Sequence, residues 1–167
     1  MQLALLIFPP CDRPDAPSRE RRNMDNPIDI LNAFYDAERR YMAAGGAAAG
    51  ASFDEMASTL HPDVELHQSP DLPWGGEYRG HAGFREWSLK MSDAFDQLSV
   101  EDAQFLVADD KVVILCRLVT RARRSGDVLN APMAQVVTVQ NGRITEFRPF
   151  YWHVPDYVSA AGQAPKA

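Results

Sequence analysis

The chain has 167 residues, a formal net charge of −6, 46% hydrophobic residues and 24% charged residues. This length predicts one domain that buries a core without disulfides or metals, and the negative charge argues against a nucleic-acid partner, because phosphate binding needs a basic face. No apolar run approaches the roughly 20 residues that a membrane helix needs. Cys11 lies in a proline-rich stretch and Cys116 in a hydrophobic one, so we expect no bridge between them and a reducing cytoplasm.

The two ends of the chain are expected to lie outside the domain. Residues 1–23 contain a short apolar run without a preceding positive charge, followed by four prolines. They are interpreted as a disordered extension or a start codon assigned too early, with Met24 as the working start, and a degenerate signal peptide is the alternative. We expect the domain to span 24–158, the chain to fray after Pro155, and residues 159–167 to form a flexible tail.

Three helices are predicted in the first 95 residues. Asn26 can cap the first helix, Pro27 suits its first position, and Gly45-Gly46 ends it. Its apolar stripe consists of Ile28, Leu31, Phe34, Tyr35, Glu38 and Tyr41 or Met42. Ser52 and Glu55 predict a capping box for a short second helix, residues 53–60. A third helix is expected from Gly83 to about Phe95.

Alternating and apolar runs predict five strands. They are residues 64–68, 99–107, 112–121 and the two arms of a hairpin within 133–153. Asn141-Gly142 predicts a two-residue type I′ turn, which places Val139 opposite Ile144 and Val137 opposite Glu146. One face of the hairpin would then carry Val137, Val139, Ile144, Phe150 and Trp152, and the other Val136, Phe147, Tyr151 and His153.

The order of these elements predicts an α+β fold. A curved antiparallel sheet wraps around the N-terminal helices and leaves a conical cavity. Both faces of the hairpin are partly apolar, so both are expected to be covered, one by the domain's own helices. Residues 69–83 form a long loop, and loops of this length are often functional.

Three segments resemble a known family in the expected order: HPDVELH (61–67), GGEYRGHAGF (75–84) and QNGRITEFRPFYWH (140–153). Over residues 26–158 the chain resembles the SnoaL-like, ketosteroid-isomerase-like branch of the nuclear-transport-factor-2-like superfamily, whose fold is a cystatin-like cone with a central cavity. The resemblance implies a homodimer through the outer sheet face. It leaves the activity open among isomerases, cyclases, dehydratases, epoxide hydrolases and non-catalytic binding proteins.

The chain departs from that family near the end of the last strand. Many relatives carry an acid/base Asp there, whereas this chain has Phe150-Tyr151-Trp152-His153, and its next carboxylate is Asp156. Either His153 has taken over the role, or the familiar carboxylate chemistry is absent.

The candidate catalytic residues are two histidines and two tyrosines. His67 and His153 could accept and return a proton, because imidazole titrates near neutral pH. The alternation of the first strand leaves open whether His67 faces the cavity, and the structural alternatives are an edge or surface histidine. Tyr35, on the apolar stripe, and Tyr78, in the long loop, are candidate acids.

Aromatic residues are the candidate walls of a ligand pocket, because their planes suit ring-shaped ligands. They are Trp74, Phe150, Tyr151 and Trp152, with core packing as the alternative. Arg117 lies within a strand and would need a partner if buried. Pairing with Glu65 is one explanation and anion recognition the other. The histidines have no metal-binding spacing such as HExxH, so neither a metal nor a cofactor is expected.

These observations support two hypotheses. The first is a cone that binds a small, mostly apolar, cyclic molecule and catalyses cofactor-free proton transfer (isomerisation, dehydration or cyclisation). His67 would be its base and Tyr35, Tyr78 or His153 its acid. The second is a non-catalytic ligand-binding or dimerisation module of the same fold.

Overall fold

The computed structural model describes residues 26–162, so the expectations for residues 1–23 lie outside the described part. The elements follow the predicted order, with one extra strand and one extra helix. They are α1 (Pro27–Ala43), a single 3₁₀ turn (Ala47–Ala49), α2 (Asp54–Thr59), β1 (Leu60–Gln68), β2 (Gly76–Arg79), α3 (Gly80–Ala94), β3 (Phe95–Ala108), β4 (Lys111–Ala122), β5 (Val128–Gln140), β6 (Arg143–Tyr151) and α4 (Val154–Ala160).

The six strands form one curved, open sheet in the order β2-β1-β6-β5-β4-β3. This confirms the α+β fold with helices on one side of a curved sheet. The sheet is mixed rather than purely antiparallel, because β1 runs parallel to β6 while every other pair is antiparallel. β2 lies within the predicted loop, and it is four residues long with only Tyr78 buried, too short to show alternation.

α1 begins and ends as predicted. The Asn26 side chain accepts a hydrogen bond from the backbone N–H of Ile28 at 3.1 Å, and Gly45 and Gly46 follow the helix with positive φ angles. The face that packs onto the sheet consists of Leu31, Phe34, Ala37, Glu38, Tyr41 and Met42. A glutamate therefore lies within the buried stripe of the helix.

A β-bulge changes the predicted register of the last hairpin. Val139 pairs with Ile144 as expected, but Thr138 then pairs with Glu146, which leaves Thr145 as an extra residue in β6. One inserted residue moves every later side chain of a strand to the opposite face. The predicted faces are therefore wrong beyond Ile144: Phe147 and Tyr151 point towards the core side, and Phe150 points outward.

The chain does not fray after Pro155. Residues 154–160 form α4, in which Tyr157 and Val158 are buried. The ring of Tyr157 packs edge-to-face on Tyr151, with ring centroids 4.8 Å apart. This aromatic contact fixes the segment against the end of β6, which the small and polar composition of the C-terminus did not indicate.

Candidate functional site

A narrow cavity lies between α1, α3 and the inner face of the sheet. Its free interior is about 20 Å³, which is enough for about one water molecule. The lining residues are Glu38, Gln68, Trp87, Met91, Leu98, Val100, Leu118, Met133, Gln135, Phe147, Pro149 and Tyr151. The wall is mostly apolar with a few polar groups, as in ligand sites.

Glu38 is the acidic residue of this wall. It lies one helical turn after Phe34 on the buried face of α1, and only 7% of its surface is exposed. Burial raises the pKa of its carboxyl from the ordinary 4.5 to about 8. A carboxyl with this pKa can both release and accept a proton near neutral pH.

Glu38 lies on the predicted apolar stripe of α1, and no role was predicted for it from the sequence. The sequence did contain a signal for such a role. Glutamate is rarely buried, so a glutamate at a core-facing helix position is a candidate functional residue.

Two tyrosines donate hydrogen bonds to glutamine side chains of the cavity wall. The hydroxyl of Tyr35 donates to Gln135 Oε1, and the hydroxyl of Tyr151 donates to Gln68 Oε1 at 3.1 Å. Burial raises the pKa of both tyrosines above its usual range. Both phenols therefore stay protonated at neutral pH and act as hydrogen-bond donors. The structure places the predicted Tyr151 on the cavity wall, and Tyr35 directly behind Gln135.

Trp74 and Tyr78 support this wall from behind rather than lining it. Trp74 is fully buried, and its indole Nε1 donates to the hydroxyl of Tyr151 at 3.4 Å. The hydroxyl of Tyr78 donates to the carbonyl oxygen of Trp74 at 2.9 Å and accepts from Lys90 Nζ at 3.1 Å. The two residues thus fix the loop that carries Trp74 against Tyr151.

His67 lies on the opposite side of the sheet from the cavity. Val64, Leu66 and Gln68 are buried on the core side of β1, which settles the alternation that the sequence left open. The His67 ring contacts the carboxylate of Glu77 through Nδ1, and its Nε2 lies 3.4 Å from Glu146 Oε1 and 3.7 Å from Glu65 Oε2. His67 therefore does not reach the cavity, because Val64, Leu66 and Gln68 are the residues of this part of β1 that face the core.

His153 is also separated from the cavity. It precedes α4 as its N-cap residue, and its Nδ1 lies 3.0 Å from Asp156 Oδ1 in an exposed pair. Phe150 is 52% exposed and Trp152 is 81% exposed. The structure therefore does not bring His153, Phe150 or Trp152 to the cavity wall, and for Phe150 the β-bulge in β6 is the physical reason.

Arg117 does not pair with Glu65. Its Nε donates to Asn130 Oδ1 at 2.6 Å on the outer face of the sheet, whereas Glu65 forms an ion pair with Arg79 across β1 and β2. The expectation of an ion pair between Arg117 and Glu65 is wrong, because β4 and β1 are not neighbours in the sheet.

No group of three or more His, Cys, Asp or Glu side chains within residues 26–162 is arranged to hold a metal ion. In the same range, no helix has the length and apolar character to cross a membrane.

Comparisons with known proteins agree with this fold. Residues 38–147 match the family model described as SnoaL-like domain. TerC, co-crystallised with polyporic acid, superposes with a TM-score of 0.67 at 18% identity, covering 81% of this chain and 98% of TerC. An NTF2-like protein from Burkholderia xenovorans LB400 superposes with a TM-score of 0.64 at 18% identity. The alignment covers 80% of this chain and 94% of that protein's chain.

A candidate polyketide cyclase from Xanthomonas campestris pv. campestris has a TM-score of 0.63 at 18% identity, and the alignment covers 84% of this chain and 98% of that one. At this identity the structural likeness shows the fold alone. No protein with a curated description matches the sequence. The family match covers most of the chain and confirms the resemblance of the three segments. The chain belongs to the SnoaL-like domain family.

Proposed function

We propose that the protein binds a small, mostly apolar, cyclic molecule in its cavity and transfers a proton on it without a cofactor. Glu38 is the acid/base. The observation that carries this proposal is the buried carboxyl on the cavity wall, whose pKa is raised to about 8. It takes the place of the histidine base that the sequence suggested, because His67 lies on the other side of the sheet.

The chemistry requires only the carboxyl and a substrate with an acidic C–H bond. The Glu38 carboxylate removes a proton from a carbon next to a carbonyl, and the electrons of that C–H bond form an enolate. The resulting carboxylic acid then returns the proton to another atom of the same molecule, or to a leaving hydroxyl group. With a pKa of about 8, about one Glu38 in ten is ionised at pH 7, and the carboxylate is a stronger base than an ordinary glutamate.

The comparisons support a ring-shaped ligand. TerC was crystallised with polyporic acid, and a second protein of this fold is named as a candidate polyketide cyclase. The cavity has room for about one water molecule, so a larger ligand must displace side chains. Met91 and Met133 line it, and unbranched methionine side chains adapt readily to a new shape.

Solvent deuterium exchange tests the proposal without knowledge of the substrate. We expect the protein to accelerate deuterium incorporation into 2-cyclohexen-1-one, followed by mass spectrometry. Glu38→Gln should lower this rate at least about 100-fold, the usual contribution of a general base. His67→Gln tests the rival assignment. A Glu38→Gln protein that retains its rate, or a His67→Gln protein that loses it, would exclude Glu38 as the base.

A non-catalytic binding module is the second candidate. The small free volume favours it, as do the hydrogen bonds of Tyr35 and Tyr151, because both hydroxyls are already engaged by glutamines. Under this alternative, ring compounds raise the thermal stability of the protein but exchange no deuterium above the uncatalysed rate. Exchange that depends on Glu38 would exclude it.

We further propose that a second copy covers the outer face of the sheet. Register pairs place six apolar side chains together there, and we refer to them as the outer patch: Leu106, Val113, Leu115, Ala134, Val136 and Phe150. Leu106 is 58% exposed and Leu115 is 45% exposed. Contiguous apolar patches on a protein surface usually mark interfaces.

A further inference from the structure

A buried hydrogen-bond donor without a partner belongs to the cavity wall. Trp87 lines the cavity, and only 6% of its surface is exposed. Its indole Nε1 is buried and has no hydrogen-bond partner within residues 26–162. In the same range, three other side chains contain a buried polar atom without a partner, namely His67, Thr120 and Tyr157. None of these three lines the cavity, so among the described residues the indole of Trp87 is the unpaired donor that a ligand can use.

The chemistry of the indole group makes this unpaired atom informative. An indole N–H can only donate, and the plane of the ring fixes its direction, whereas a hydroxyl group can rotate to find a partner. The ring of Trp87 packs edge-to-face against that of Phe84, with centroids 5.1 Å apart, and an aromatic ring is at best a weak acceptor. Because buried polar groups are nearly always hydrogen-bonded, the N–H of Trp87 indicates an acceptor that the described residues do not supply.

The neighbour of Trp87 on α3 gives a ligand access to the indole. Met91 lies one helical turn after Trp87 and lines the same cavity, and side chains four residues apart are neighbours on the surface of a helix. The unbranched side chain of Met91 can change its conformation to make room. A ligand that displaces it therefore enters beside the indole, in the cavity that Glu38 lines from α1.

The charge of the cavity narrows the kind of acceptor. None of the described residues that line the cavity is Lys, Arg or His, so an anionic ligand would lose its hydration there without gaining a counter-charge. His67 and Arg148 line an open groove at the surface, and Trp87 is not part of the lining of that groove. The acceptor for Trp87 is therefore the oxygen of an uncharged group, such as a carbonyl, rather than a carboxylate or phosphate.

We infer that the indole Nε1 of Trp87 donates a hydrogen bond to the carbonyl oxygen of an uncharged cyclic ligand. This inference rests on the proposed function, and it adds the residue that recognises the ligand and the chemical class of that ligand. When Glu38 removes a proton next to the carbonyl group, the same donor stabilises the negative charge that develops on the carbonyl oxygen. The acid/base then comes from α1 and the stabilising donor from α3.

The indole proton of Trp87 reports the hydrogen bond directly in the wild-type protein. Proton–nitrogen correlation NMR spectra separate the indole signals of Trp74, Trp87 and Trp152, and the three single Trp→Phe variants assign them. We expect 2-cyclohexen-1-one to shift the signal of Trp87 downfield and to slow its exchange with water, because a hydrogen bond deshields and protects the proton. Cyclohexene, which lacks the oxygen, should do neither. The signal of Trp152, which is 81% exposed, is the internal control and should respond to neither compound.

Dissociation constants of the two compounds separate recognition from packing. Trp87→Phe keeps an aromatic ring but lacks the N–H, so the preference for the ketone over cyclohexene should fall about threefold to tenfold, as for the loss of one hydrogen bond. The smaller ring affects the binding of both compounds, and its effect cancels in their ratio. Trp152→Phe is the matched control and should leave the preference unchanged, because Trp152 does not line the cavity. If Trp87→Phe does not fold, the spectra of the wild type still decide.

Four outcomes overturn the inference. They are a Trp87 signal that does not move when the ketone binds, an unchanged preference for the ketone in a folded Trp87→Phe protein, binding of benzoate as tight as that of the ketone, and no binding of the ketone to the wild type. Because no turnover is measured, these results are independent of deuterium exchange. Loss of exchange in Glu38→Gln with an unmoved Trp87 signal would uphold the proposed function and refute this assignment.

Discussion

Replacing Glu38 by glutamine should change how the stability of the protein depends on pH. The pKa of the carboxyl is about 8 in the folded state against an ordinary 4.5. Below pH 4.5 the carboxyl is protonated in both states, so its ionisation has no effect on folding. As the pH rises from 4.5 to 8, the folded state holds a proton that the unfolded state has lost, and folding becomes less favourable.

The difference of about 3.5 between the two pKa values corresponds to about 5 kcal/mol of unfolding free energy, at about 1.4 kcal/mol for each factor of ten. That is a large part of the 5 to 15 kcal/mol typical of a domain. Glutamine cannot ionise, so Glu38→Gln removes this loss. Relative to the wild type, the variant should gain about 5 kcal/mol between pH 4.5 and pH 9.

Urea unfolding followed by tryptophan fluorescence at pH 4.5, 7 and 9 measures the effect. Glu55→Gln is the matched control, because Glu55 lies exposed on α2 and pairs with Arg40. Its stability should follow that of the wild type across the whole range. If the unfolding free energies of the wild type and of Glu38→Gln change in parallel with pH, folding does not raise the pKa of Glu38. This result would refute the prediction.

Three other perturbations follow from the same contacts. The rate of deuterium exchange should rise about tenfold for each pH unit, because the ionised fraction of Glu38 rises by that factor. The rate should reach a plateau near the pKa of Glu38, about 8. A plateau near 6.5, the ordinary pKa of imidazole, would instead indicate a histidine base. Tyr35→Phe leaves Oε1 of Gln135 without its donor, which should lower the unfolding free energy by about 1 to 3 kcal/mol; an unchanged urea midpoint would contradict this. Leu115→Arg places a charge in the outer patch and should shift the sedimentation mass from dimer to monomer, and a wild type that is already monomeric would refute the interface.

The helices were predictable because local signals agreed with tertiary packing. Asn26 and Pro27 mark the start of α1, and its apolar period coincides with the face that is buried. The hairpin turn at Asn141-Gly142 was equally clear. The bulge at Thr145 was not, because no glycine marks it and the flanking residues suit a regular strand. A single unmarked insertion was enough to exchange the positions of Phe150 and Tyr151 relative to the core.

The candidate site was harder to predict than the fold. Alternation identifies the two faces of β1, but it does not show which face the helices cover. The position of His67 relative to the cavity could therefore not be predicted from the sequence. Glu38 was visible as one carboxylate within an apolar stripe, yet its pKa is raised by burial, which arises only when α1 packs onto the sheet. The hydrogen bond between Tyr151 and Gln68 joins two residues that are distant in sequence. Such groups acquire their chemistry only from the assembled cone.

The parallel pairing of β1 with β6 bears on the order in which the molecule folds. β3 to β6 are joined through neighbouring hairpins, whereas Leu66 meets Phe147 only after most of the chain has been brought together. Contacts between residues so far apart in sequence form late in folding. The chain loses entropy when the long loop closes, before the new contacts stabilise it. We expect the amide protons of β1 to exchange with solvent sooner than those of β4 and β5. Local opening of the pairing between β1 and β6 would let a ligand larger than one water molecule reach Glu38 without global unfolding.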